Sequence, residues 1–91
     1  MTESEILIQV KKGLGFTGSY QDDMLKLHIQ EVKAFLKDAG VSQTIIDSAD
    51  SVGVITRGVN DLLNLQSGEV RFSDYFMKRA IQLAIRPAEV V

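Results

Sequence analysis

The sequence predicts an all-α, compact single domain of about four helices, with a long second helix at its centre. Three observations carry that expectation. Apolar residues recur at three- and four-residue spacing in four separate segments, the period of helices buried along one face. Residues that favour helix starts (Thr2, Ser19, Ser48, Ser73) precede those segments, and Gly15, Gly40 and Pro87 follow three of them. Ninety-one residues, 45% of them hydrophobic and 24% charged, suffice for one core and not for two.

Thr2-Glu3-Ser4-Glu5 fits a capping box, in which the Thr hydroxyl and the Glu carboxylate each satisfy the other's free backbone N–H. A first helix over about 3–13 follows, with Ile6, Leu7, Val10 and Leu14 on its apolar face and Gly13 and Gly15 closing it. After a Gly/Ser loop, Ser19 is expected to cap the second helix, with Asp22 and Asp23 complementing its dipole. That helix is expected over 20–39, about 30 Å long and as long as the domain itself. Met24, Leu25, His28, Ile29, Val32, Phe35, Leu36 and Ala39 form its apolar set, and Gly40 ends it. A helical turn is expected within 41–46. Ser48 or Asp50 then caps a third helix over 48–63, in which Gly53 and Gly58 imply a close crossing with the long helix. A turn-rich connection with Ser67-Gly68 at its tip and an extended stretch from Glu69 to Phe72 leads to a last helix over 74–86. Phe76, Met77, Ala80, Ile81, Ala84 and Ile85 are its apolar set, and Pro87 stops it.

Composition excludes several functions. With no Cys and a single His, the chain has no disulfide framework, no thiolate nucleophile and no Cys/His zinc cage. No apolar run approaches the eighteen or so residues of a membrane span, and the acidic start is unlike a signal peptide, so the chain is expected on the cytoplasmic side. A net charge of −2 gives no general attraction to nucleic acid or anionic membranes. The charge is uneven: residues 41–70 carry Arg57 against four acids, and residues 71–91 carry four bases against two.

The motifs resolve mostly to structure. Gly13-Leu14-Gly15-Phe16-Thr17-Gly18 matches G-x-G-x-x-G, but a helix ends into it where a dinucleotide fingerprint needs a strand. It is read as an interhelical loop. His28 lies in an apolar stripe without catalytic company and is read as a core or interface residue. Lys78 and Arg79, with Arg71 and Arg86, make the last segment mildly basic, a solvated face or a site for an acidic protein partner. Phe72, Tyr75 and Phe76 share one side of that helix start, as core or as core and interface. No enzyme and no cofactor are expected, because no nucleophile–base pair or metal cluster can be drawn from these residues.

Four stretches carry a resemblance: Ile6-Leu7-Ile8-Gln9-Val10-Lys11-Lys12-Gly13-Leu14-Gly15, then the Gly/Ser loop into Asp22-Asp23-Met24-Leu25, then Ala34-Phe35-Leu36, then Ser67-Gly68 running into Phe72-Ser73-Asp74-Tyr75-Phe76-Met77-Lys78-Arg79. In this order, over most of residues 4–86, the chain resembles the small all-helical head–tail connector (adaptor) proteins of tailed bacteriophages and prophages. The chain stops four residues after Pro87, short of longer relatives with an extended tail. The resemblance implies a virion structural protein of the head–tail neck, assembled in the host bacterial cytoplasm. It implies a homo-oligomeric ring, twelve-fold on the portal and monomeric when free. The portal protein would bind one side and a stopper or tail-completion protein the other, with DNA passing through the channel and no membrane involved. The competing reading is a small regulatory or nucleic-acid-binding helical protein.

A ring closes through unlike surfaces on neighbouring subunits. The expected pair is the basic, aromatic start of the last helix (Phe72, Tyr75, Lys78, Arg79) and an acidic middle (Asp47, Asp50, Asp61), with the aromatics outweighing the charges.

Overall fold

Thr2 starts the first helix as the sequence predicts. The computed structural model describes residues 1–64 and 72–86, and its first helix, α1, runs Glu3–Leu14. The Thr2 hydroxyl accepts from Glu5 N–H at 3.1 Å, and the Glu5 carboxylate accepts from Thr2 N–H at 2.9 Å. Ile6, Leu7 and Val10 are buried, and Gly15 closes the helix at φ +77°, letting Phe16 N–H reach the Lys11 carbonyl at 2.9 Å. Lys11 also ties down the next loop, donating to the Gly18 carbonyl and pairing with Asp22 at 2.7 Å.

That clamp sets where the second helix begins. Residues 19–21 span the turn between its two anchor points, so α2 runs Asp22–Asp38 and starts two residues later than predicted. Ser19 makes no side-chain cap; its carbonyl accepts from Asp22 N–H at 3.2 Å. Seventeen residues give about 26 Å, well short of the 40 Å long dimension of the domain. Gly40, at φ +100°, ends the helix: its N–H reaches the Lys37 carbonyl and Val41 N–H the Leu36 carbonyl, both at 3.0 Å. This is the Schellman arrangement, and it turns Val41 into the core.

The predicted helical turn is α3, Gln43–Ile46, capped by Ser42 and burying Ile45 and Ile46. The expected third helix is divided. A 3₁₀ turn, Ala49–Ser51, precedes α4, Val52–Leu63. Ser48 caps the turn through Asp50 N–H, and Asp50 itself caps nothing there. Ser51 is wholly buried, its hydroxyl 2.7 Å from the Ile46 carbonyl and 3.0 Å from that of Ser48. These side-chain bonds hold the backbone out of α geometry for one turn.

The two glycines of α4 differ. A Cβ on Gly58 would stand 2.6 Å from Phe76 Cε1 and 2.9 Å from both γ carbons of Val32, so the predicted close crossing with α2 is here, and α5 shares it. Gly53 faces open space. Gly13 is the other close approach, its missing Cβ 2.8 Å from Thr56 Cγ2 where α1 meets α4. α2 is the longest helix, and α4, which touches α1, α2 and α5, shares its central position.

The last helix, α5, runs Asp74–Ala84, with Ser73 accepting from Phe76 N–H at 3.2 Å. Phe76, Ala80 and Leu83 are buried. Met77, Ile81 and Ile85, assigned to the core by periodicity, face solvent. They form a second row about 130° round the helix from the buried one. Phe72 and Phe76 stack at 4.3 Å between centroids, with Phe35 of α2 4.8 and 5.5 Å away. No strand occurs among the described residues. The Ser67-Gly68 tip, the extended stretch up to Arg71, and Pro87 lie outside them.

Candidate interaction surface

The seven residues expected at a subunit interface separate by what they touch. Phe72 is half-buried in the aromatic trio with Phe35 and Phe76, so its ring is engaged within the chain. Tyr75 is exposed and lies under the Arg57 guanidinium, 5.7 Å from ring centroid to Cζ. Lys78 faces solvent on the same side of α5 as Ile81 and Ile85. Arg79 is half-buried and donates to the Gln82 side chain one turn on.

The acidic group is divided too. Asp61 has a side chain only 10% exposed, accepts from Ser73 N–H at 2.9 Å, and lies 3.7 Å from Arg57. It fastens the start of α5 to α4 and does not project from the domain. Asp50 pairs with Arg86 at 3.0 Å, joining the 3₁₀ turn to the end of α5. Asp47 is exposed; its carboxylate accepts from Gln43 at 3.0 Å and its carbonyl from the Met1 amino group. Tyr75, Lys78, Asp47 and Asp50 are the exposed members of the expected pair, Asp50 within a surface ion pair that leaves its side chain 57% exposed. Arg71 lies outside the described residues.

Two rows of exposed apolar side chains were not anticipated. On α5, Ile81 is 60% and Ile85 78% exposed, with Met77 beginning the row. On α2, Leu27 is 72% exposed and Met24 stands beside it, with the almost fully exposed Tyr20 just before the helix. The sequence held a signal for the first. The apolar set of α5 spans about 180° of the helix, wider than the roughly 100° stripe a core-facing helix needs. Leu27 lies off the stripe formed by Leu25, Ile29, Val32 and Leu36, which is the corresponding signal on α2. Beside Leu27 runs a groove of about 400 Å³ between the start of α1 and α2, lined by Glu3, Asp23, Lys26, Leu27, Ile29 and Gln30.

The remaining motifs lie elsewhere. Gly15 and Gly18 take positive φ in the loop after α1, while Gly13 sits in the last turn of that helix against Thr56. His28 is half-buried on α2. Among the described residues no three His, Asp or Glu side chains converge as they would round a metal ion, and no helix is long and apolar enough to cross a membrane. The Glu5 carboxyl is held below its ordinary pKa, first by the backbone N–H of Thr2 and then by the Thr2 hydroxyl. No family model matches the chain, and no curated protein or solved structure matches it significantly.

Proposed function

We propose that the chain is a non-enzymatic structural protein of the phage neck. In this reading it is an adaptor that forms a ring beneath the portal, receives a stopper or tail-completion protein on its other side, and surrounds the exit path of DNA. The observation that carries the reading is the pair of unlike apolar rows on one small domain, Met77, Ile81 and Ile85 on α5 and Met24 and Leu27 on α2. A ring subunit needs two different surfaces that meet on neighbouring copies. Exposed apolar side chains that stand together in a row, unlike singly scattered ones, fit a surface that meets a protein partner. The all-helical fold and the order of the resembling segments support the same reading.

The slight negative charge suits a channel subunit, because DNA that must slide should not be held by counterion release. A gel shift tests this against the competing reading. The adaptor should show no submicromolar affinity for free duplex DNA at physiological salt. Tight binding there would favour a regulatory nucleic-acid-binding protein, and a gene position away from portal and capsid genes would point the same way.

A further inference from the structure

Both exposed rows belong to the same chain, and their dimensions correspond. From Met24 to Glu31 on α2, and from Lys78 to Ile85 on α5, seven residues cover about 10.5 Å. We infer that α5 of one copy docks antiparallel on the outer face of α2 of the next. Ile85 then meets Met24, Ile81 meets Leu27 beside its groove, and Lys78 meets Glu31. The inference rests on the ring reading and deepens it by naming the contact.

Charge decides the partner and the direction. Glu31 and Lys78 are both exposed, and among the described residues neither has an ion-pair partner. Antiparallel docking brings them together. Parallel docking with Ile81 still on Leu27 would set Ile85 against Glu31, Lys78 against Met24 and Asp74 against Tyr20, apolar against charge at each, and leave Glu31 without a base. Pairing α5 with a second α5 would set Lys78 against Ile85 and offer it no acid. The groove beside Leu27 has Glu3 and Asp23 on its rim, with Gln30 already donating to Glu3 at 3.0 Å and Lys26 on its wall. Its two acids outnumber its one base, which suits a helix carrying Lys78. Because the two faces differ, the contact repeats head to tail and gives rings or filaments instead of a closed dimer.

The chain has no cysteine, so introduced thiols report the contact directly. Leu27→Cys and isotope-labelled Ile81→Cys, both at exposed positions, are mixed at about millimolar concentration and oxidised, and the disulfides are weighed by mass spectrometry. The expected product is the mixed dimer, in excess over either self-linked dimer and over a control mixture in which Thr44→Cys replaces Leu27→Cys. Lys78→Glu in the Ile81→Cys chain should lower the mixed yield about two- to fivefold, as an exposed ion pair allows, and Glu31→Lys in the other chain should restore it. A mixed yield no higher than the control, equal self-linking of Ile81→Cys, or failure of the charge swap to restore the yield would overturn the inference. Circular dichroism of each variant separates these results from loss of fold. A specific mixed disulfide in a chain that binds no portal protein would keep the contact and remove the connector reading. Portal binding without the disulfide would do the reverse.

Discussion

At Gly58 the lack of one carbon sets how closely three helices approach. An added Cβ would stand 2.6 Å from Phe76 Cε1 and 2.9 Å from both γ carbons of Val32, and both neighbours are fully buried. Val32 is β-branched and has few rotamers in a helix, so it cannot swing aside. Gly58→Ala gains about 1 kcal/mol of helix propensity and incurs about 1–3 kcal/mol of overpacking. It should lower the urea midpoint. Gly53→Ala, with nothing within 4 Å of the new carbon, should raise it by the equivalent of up to about 1 kcal/mol. The two glycines look alike in the sequence, and only the packing distinguishes them. The acids divide in the same way. Asp61→Ala removes the acceptor for Ser73 N–H and the partner of Arg57, and should cost about 1–3 kcal/mol in chemical denaturation. The exposed Asp47→Ala should stay within about 0.5 kcal/mol of wild type.

At the scale of the helix, the start of α1 carries a pH dependence. The Glu5 carboxylate accepts from Thr2 N–H, which favours its ionised form and lowers its pKa in the folded chain. Folding then opposes protonation. The contribution is fully present above the ordinary carboxyl pKa of the unfolded chain and is lost as pH falls through the lower folded value. Carbonyl-carbon shifts of α1 in an acid titration should report fraying at its first turn in that window. Glu5→Gln, which can still complete a capping box, should remove this acid step and keep the helix. This element was legible because its signals are local: box, apolar spacing and closing glycine lie within fifteen residues. The start of α2 was not, since Lys11, eleven residues before Asp22, fixes it. The break between the 3₁₀ turn and α4 depends on where Ser48 and Ser51 direct their hydroxyls, which spacing does not encode. Periodicity placed Phe76 and Ala80 in the core and overassigned Met77, Ile81 and Ile85, because it marks apolar residues without showing how wide a face the neighbours cover.

At the scale of the molecule, the domain measures 40 × 28 × 17 Å, thin in one direction and correspondingly rich in surface. A chain this short buries a smaller share of its unfolded surface than larger domains do, so the proposed contact between copies would add stability. The fold class was legible from composition and period together. The surface proposed for contact was legible only in part: Lys78 was named from the sequence, while the exposed apolar rows proposed to flank it emerged once the core had claimed its share of each helix. The connector reading is tested most directly by native mass spectrometry of assembled portal rings from the same genome, mixed with excess chain. A connector subunit should give a single heavier species with one copy of the chain per portal subunit. An unchanged portal mass, with the chain folded and free in the same sample, would contradict it.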